Sequence, residues 1–140
     1  MEHEIKHILV SLDSSDTSKK VLDKAIYIAK LSGAKITGIS VVVVYPTLAG
    51  TVLNYKKYLT EKTEKMLDST KKYCEKQGVQ FTHKILYGKP ASRIAEFANK
   101  ERVDLVVIGS RGLGGFKGTV LGSVSNTVLQ KSKVPVLVVK

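Results

Sequence analysis

Short apolar runs alternate with longer amphipathic stretches along the whole chain, and this alternation predicts its secondary structure. Five apolar runs have the length and the β-branched content of strands, at residues 5–12, 35–44, 79–86, 104–109 and 134–140. The segments between them carry apolar residues at the 3.6-residue spacing of a helix that buries one face. We predict these helices up to residue 32, over 55–77, over 91–102 and over 123–131. Strand and helix alternate throughout, which favours one parallel sheet with helices on both faces.

Small polar residues, glycine and proline mark the ends of several predicted elements. Ser14, Ser15 and Asp16 offer N-cap side chains for the first helix, and Gly33 is suited to its C-cap. Pro90 fits the start of the third helix, where no backbone N–H is needed. The second helix is predicted to pack on the sheet through an apolar stripe of Tyr55, Leu59, Met66, Tyr73 and Cys74.

The segment from Asp104 to Ser125 carries the most specific chemical pattern. An apolar strand stops at Gly109, a glycine-rich stretch follows, and a helix with lysines in its last turn begins at Ser123. The first turn of a helix has N–H groups without intrahelical partners, and its dipole favours negative charge there. Glycines allow close approach to an anion, and the hydroxyls of Ser123 and Ser125 can donate to it, so the pattern indicates a phosphate site. A mobile surface loop before a capped helix is the alternative interpretation.

Two common phosphate loops do not match this segment. A Walker loop requires Gly-Lys followed by Ser or Thr, and that tripeptide occurs nowhere in the chain. The dinucleotide fingerprint requires Gly-x-Gly-x-x-Gly, but Gly112 and Gly114 are followed by Lys117 at the third glycine position. That fingerprint also belongs to the first strand-to-helix turn, whereas this segment lies late in the chain.

The spacing that is present is Gly109, two residues, Gly112, nine residues and then Gly122-Ser123. It resembles the nucleotide-binding signature of the universal stress protein family, in its ATP-binding branch. The resemblance covers the whole chain, including the strand that ends in Asp13, the Tyr-Gly-Lys-Pro-Ala segment at 87–91 and the apolar segment at 134–139. The glycine signature is fairly specific because it separates family members that bind nucleotide from those that do not.

The resemblance implies an α/β fold: an open five-stranded parallel sheet in the order 3-2-1-4-5, Rossmann-like and similar to adenine nucleotide alpha hydrolases. The ligand crevice would lie between strands one and four. Asp13 and Val41 would hold the adenosine end of ATP, although a turn-forming role for Asp13 and a core position for Val41 are the alternatives. The residues expected around the ribose and the phosphates are Gly109, Ser110, Arg111, Gly112, Gly122, Ser123, Val124 and Ser125.

Length and charge narrow the functional classes. We expect residues 1–140 to form a single domain, and the lone Cys74 favours a reducing cytoplasm. A formal net charge of +11 attracts anions, but lysine is spread over every helix, so we expect no nucleic-acid partner. No apolar run is long enough for a membrane span, and no membrane partner is expected. His3, His7 and His83 are scattered, so neither a metal site nor a hydrolase triad is expected.

The closing segment from Val134 to Val139 is an apolar edge strand, since Pro135 lacks an N–H. Because such an edge invites pairing with another chain, and family members commonly dimerise there, we predict a homodimer. The predicted function is reversible ATP binding by a switch or sensor in stress response, with magnesium as a companion of the phosphates. No residue is assigned to catalysis, so any ATP hydrolysis should be slow.

Other functions stay open. The class alternative is a nucleotide-independent, dimeric interaction module that uses the irregular segment predicted from Tyr45 to Asn54. Sensing of AMP or another adenine nucleotide is a variant of the main prediction, whereas an adenylyl-transferring enzyme would need a larger chain. Lys117 either adds phosphate affinity or faces solvent. The downstream protein partner and the stress are not identified.

Overall fold

The computed structural model describes residues 4–13, 15–43, 49–110 and 122–140. In these ranges strands and helices alternate as the sequence predicts. The strands are β1 (His7–Ser11), β2 (Lys35–Val42), β3 (Phe81–Tyr87), β4 (Leu105–Gly109) and β5 (Val136–Val139). The helices are α1 (Asp16–Ser32), α2 (Ala49–Lys76), α3 (Pro90–Glu101) and α4 (Ser123–Lys131).

The five strands form one parallel sheet in the order β3-β2-β1-β4-β5, which confirms the predicted fold class and strand order. Two apolar clusters cover its faces. One cluster joins α1 and α2 to residues such as Ile8 and Val10 of β1, and the other joins α3 and α4 to Leu9 and Val106. Both faces of β1 and β4 are therefore buried, as the continuous apolar runs predict.

Several strands are shorter than predicted because side chains and helix ends take over their first backbone groups. The Asp104 carboxylate accepts hydrogen bonds from the N–H groups of Lys6 and His7, both at 2.9 Å, so β1 begins at His7. The N–H of Val79 donates to the carbonyl of Cys74 at the end of α2, and β3 begins two residues later. The prediction that β5 begins at residue 134 is also wrong by two residues, because β5 begins at Val136.

The second helix differs most from its prediction. It begins at Ala49, so the expectation that residues 49–54 are irregular is wrong; residues 44–48 lie outside the described part of the chain. Tyr55 is also not in a buried stripe, since 56% of it is exposed. The fully buried positions are Leu67 and Cys74. Leu67 and Cys74, in the second half of α2, belong to the apolar core under the helix, whereas Tyr55 and Tyr58 in its first half are exposed.

The ends of the other helices follow the predicted signals. Gly33 closes α1 in the left-handed conformation, with a φ of 76°, and its N–H donates to the carbonyl of Ala29. Pro90 lies in the first turn of α3. Helix α4 has the predicted bounds. Within the described ranges, none of the helices combines the length and the apolar character that crossing a membrane would require.

Candidate functional site

Three of the predicted site residues lie at the carboxyl ends of three neighbouring strands: Val41 is near the end of β2, and Asp13 and Ser110 come just after β1 and β4. Ser11 of β1 pairs with Ile39 of β2, so two residues further along each strand Asp13 comes opposite Val41. Val10 pairs with Val107 of β4, so three residues further Asp13 comes opposite Ser110. Because neighbouring strands are about 4.8 Å apart, the sheet brings these three residues into one row at its carboxyl edge. This edge, where the chain order reverses between β1 and β4, is the usual ligand crevice of such sheets.

The peptide groups of Val41 point toward the β1 side of this row. The carbonyl of Ile39 accepts from the N–H of Leu12 on the β1 side, and the carbonyl of Val42 accepts from the N–H of Gly88 on the β3 side. Because successive strand residues direct their peptide groups to alternate neighbours, those of Val41 face β1, whose strand ends at Ser11. A planar ligand at this position would therefore meet a backbone donor and a backbone acceptor.

Asp13 organises the turn between β1 and α1. Its Oδ1 accepts hydrogen bonds from the N–H of Ser15 and from Oγ of Ser18, both at 2.8 Å. The N–H of Asp13 in turn donates to Oγ of Ser18 at 3.0 Å. The turn-forming role that the sequence left open is thus present. Ser15 occupies the N-cap position without a side-chain hydrogen bond, so its predicted capping by that side chain is wrong: its backbone N–H is held by Asp13 instead.

The start of α4 is fastened to the end of β4. The N–H of Gly122 donates to the carbonyl of Ser110 at 2.7 Å, and Oγ of Ser125 donates to the same carbonyl at 2.9 Å. Oγ of Ser125 also lies 3.0 Å from the carbonyl of Gly122. Ser110 is in turn held to β5, because its N–H donates to the carbonyl of Val139 at 2.8 Å. These bonds fix the first turn of α4 next to the row formed by Asp13, Val41 and Ser110.

The first turn of α4 is arranged to receive an anion. Gly122 is the N-cap, with φ −65° and ψ 163°, and no side-chain cap is recorded within the described residues. The first intrahelical bond runs from the N–H of Asn126 to the carbonyl of Gly122, so the N–H groups of Ser123, Val124 and Ser125 have no intrahelical acceptor. Ser123 and Val124 are exposed, whereas Ser125 is 3% exposed and directs its hydroxyl to carbonyl oxygens. Ser125 therefore holds this turn in place through its side chain.

Two predicted residues of the site, Arg111 and Gly112, lie outside the described residues together with Lys117. Sequence reasoning missed Ser18, whose hydroxyl closes the Asp13 turn. The sequence did contain a signal for Ser18, because this serine comes five residues after an aspartate at the end of a predicted strand. Gly38 was also missed. A Cβ at this position would lie 2.5 Å from the ring of Phe81, so the ring can pack against the backbone of β2 only because residue 38 is a glycine.

The described ranges contain other side chains that could carry chemistry. No group of three or more histidine, cysteine, aspartate or glutamate side chains is placed to hold a metal there. His7 lies at the amino end of β1, where its Nε2 is 2.7 Å from Oγ1 of Thr37; burial and then Lys35 lower its pKa. Cys74 is buried, and desolvation raises the pKa of its thiol to about 11, so it stays protonated and unreactive.

The fold is that of an open, doubly wound α/β protein in which the chain order reverses between β1 and β4. Residues 4–140 match the model of the universal stress protein family, and the chain belongs to that family. Universal stress protein MJ0531 of Methanocaldococcus jannaschii is 37% identical over 99% of this chain and 84% of its own length. Universal stress protein YxiE of Bacillus subtilis is 38% identical over 95% of this chain and 97% of its own.

Solved structures give the same fold. Universal stress protein UspA from Lactobacillus plantarum superposes with a TM-score of 0.91 over 98% of this chain and 99% of its own, at 22% identity. The hypothetical protein MJ0577 of Methanocaldococcus jannaschii superposes with a TM-score of 0.89 over 97% of this chain and 96% of its own, at 30% identity. A universal stress protein in complex with cAMP has a TM-score of 0.75 at 28% identity, over 96% of this chain and 97% of its own.

Proposed function

We propose that this universal stress protein binds ATP reversibly and acts as a nucleotide-dependent switch or sensor in stress response. One observation carries the proposal: Asp13, Val41 and Ser110 share one row at the carboxyl edge, and the first turn of α4 is tied to Ser110. A crevice lined by a carboxylate, a backbone edge and a helix N-terminus matches the three parts of an adenine nucleotide. The relative in complex with cAMP supports an adenine nucleotide as the ligand class.

The charges in the crevice favour one orientation of the nucleotide. The Asp13 carboxylate lies near the sugar and base end, where hydroxyl and amino groups donate hydrogen bonds. The phosphates lie at the first turn of α4 and near Gly109; the family signature adds Arg111 and Gly112, which lie outside the described residues. Gly122, Ser123 and Val124 contribute backbone groups there, and Ser125 holds the turn. In the described ranges no carboxylate cluster accompanies the phosphates, so magnesium would be held mainly by the phosphates themselves.

The deciding experiment identifies the ligand directly. The protein is purified without added nucleotide and denatured, and released small molecules are identified by chromatography; ATP with magnesium is then titrated into the stripped protein by calorimetry. Bound ATP, or saturable binding of one nucleotide per chain, is the expected result. Absence of both would leave the glycine segment as a surface loop and would favour a nucleotide-independent interaction module.

The proposal includes a homodimer formed through the outer edge of β5. The carbonyls of Pro135 and Val139 accept bonds from β4, so the peptide groups of Val136 and Val138 point away from β4. All four residues of β5 are only partly buried, and among the described strands β5 has a neighbour on one side only. An apolar edge of this kind is covered when the same strand of a second copy pairs with it.

A proline substitution tests this interface. Val138→Pro removes an outward N–H while the bonds from β5 to β4 stay, because Val138 points away from β4. We expect the dimer to become monomeric in light scattering, with Val138→Ala as the control that keeps the N–H. A monomeric parent protein, or a Val138→Pro variant that stays dimeric, would contradict the proposed edge. If the protein dimerises and binds no nucleotide, the interaction module becomes the better description.

A further inference from the structure

A cleft separates α1 from α2 on the face of the sheet opposite to α3 and α4. It is open to solvent and has a volume of about 500 Å³, within the range of pockets that hold small molecules. Its floor is apolar and consists of Leu12, Leu22 and Met66. Two side-chain contacts connect the helices at its rim: Tyr73 donates to Oδ1 of Asp23 at 2.8 Å, and Nζ of Lys19 lies 5.3 Å from the centre of the Tyr73 ring.

The cleft has one apolar and one cationic region. Leu22 is 7% exposed and Leu12 is 4% exposed, so the floor is continuous with the core. Among the described residues that line the cleft, Lys19 at the rim is the cationic one, and its Nζ lies over the ring of Tyr73. The carboxylate that lines the cleft, Asp13, lies in the turn and accepts bonds from Ser15 and Ser18. Asp13 is bonded within the turn and Asp23 accepts from Tyr73, so Lys19 is the charged group of the described lining that can pair with the anionic end of a ligand.

We propose that this cleft is a second small-molecule site, which takes an amphipathic monoanion with an aromatic or alicyclic body. The body lies on Leu12, Leu22 and Met66, and the anionic group lies beside Lys19 and Tyr73. The cleft and the nucleotide crevice share the Asp13 turn, because Ser18 lines the cleft and bonds both the N–H and the carboxylate of Asp13. The inference does not depend on nucleotide binding, since Leu22 and the cation Lys19 belong to α1 and Met66 belongs to α2.

A pair of fluorescent probes tests both the body and the charge. One is 8-anilinonaphthalene-1-sulfonate, an amphipathic anion, and the other is N-phenyl-1-naphthylamine, the same rings without the sulfonate. We expect one saturable site for the anion, with a lower affinity for the neutral probe. Lys19→Gln should weaken the anion about fivefold and leave the neutral probe unchanged, as expected for one partly solvated charge contact. Lys20→Gln, an equal change of net charge on the same helix, is the matched control.

A filled cleft should exclude both probes. Ser69 lines the cleft from an exposed position on α2, so Ser69→Trp adds a large side chain over the cavity with little effect on the core. We expect Ser69→Trp to abolish the binding of both probes. Ser69→Ala is the control and should retain that binding. Circular dichroism and the thermal midpoint establish that the variants are folded.

Three outcomes would overturn the site. Several weak sites that Ser69→Trp leaves unchanged would mean that the probes bind the surface only. An equal response of both probes to Lys19→Gln would remove the anion from the proposal. Complete competitive displacement of the probe by ATP would make the cleft part of the nucleotide site. Retention of one probe site in saturating ATP, with or without a change in affinity, supports a separate site.

Discussion

Helices α1 and α4 both begin at the carboxyl edge of the sheet, but their first turns are chemically opposite. The first turn of α1 is closed by a carboxylate, since Oδ1 of Asp13 accepts bonds from the N–H of Ser15 and from Ser18. The first turn of α4 begins at Gly122, which has no side chain, and it is held by bonds to the carbonyl of Ser110. One helix start therefore carries its own negative charge, and the other presents backbone donors.

This difference would give the proposed nucleotide site a direction. A helix N-terminus attracts anions, but a carboxylate already bonded there compensates the dipole and repels a second anion. Phosphates are therefore expected at α4, and the uncharged nucleoside at Asp13 and Val41. A comparison of ATP with adenosine separates the two ends, because adenosine lacks the group that α4 would bind.

Gly122→Val should have the largest effect. The added side chain lies where the phosphates approach the first turn of α4, while the extended backbone of Gly122, with φ −65°, accepts a valine. We expect ATP affinity to fall about 100-fold, the loss of two charge-assisted hydrogen bonds, and adenosine affinity to stay within about threefold. Calorimetry with both ligands measures this, and Gly122→Ala is the smaller matched change. Unchanged ATP affinity would refute the position of the phosphates.

Asp13→Asn tests the other end of the site. The amide oxygen can still accept from Ser15 and Ser18, so the turn should persist while the charge is lost. We expect adenosine affinity to fall about tenfold, the value of one charge-assisted hydrogen bond, and ATP affinity to fall less because a repulsion is also removed. Titrations of the variant with ATP and with adenosine measure the two affinities. A larger loss for ATP than for adenosine would reverse the proposed orientation.

Ser125→Ala should act through the fold of the α4 start. It removes the hydroxyl that donates to the buried carbonyl of Ser110, which should lower the free energy of unfolding by about 1–2 kcal/mol. ATP affinity should fall by about fivefold, because the turn that meets the phosphates is less well fixed. Denaturant unfolding and calorimetry measure the two effects. Ser125→Thr keeps the hydroxyl and should restore both; an alanine variant with normal stability would show that the bond contributes nothing.

Added salt should give the smallest effect. Between 50 and 500 mM sodium chloride, ATP affinity should fall about threefold because the phosphates meet a partly solvated positive region, whereas adenosine affinity should not change. Affinity measurements over this range are sufficient. Equal salt dependence for both ligands would mean that the phosphate charge is not bound at α4. As a control, sodium sulfate at equal ionic strength distinguishes screening from competition by a divalent anion.

Some features of this fold could be predicted from the sequence and others could not. The bounds of α4 were predicted because its apolar periodicity is a local pattern, and the strand order was predicted because the chain resembles the universal stress protein family. Tyr55 was misassigned because helical spacing identifies a face without showing what lies against it. Ser18 and Gly38 were missed for a related reason: their importance depends on Asp13 and Phe81, which other parts of the chain bring to them.

By itself, the sequence determined the alternation of strands and helices, the family and the glycine-rich approach to α4, because each is encoded in residues close together in the chain. Only the tertiary structure decided that Asp13, Val41 and Ser110 share one row, since the register of three parallel strands sets their alignment. It also decided that Ser125 fastens a turn, and that a cleft opens between α1 and α2. These features depend on side chains and strands that meet only after the sheet has formed.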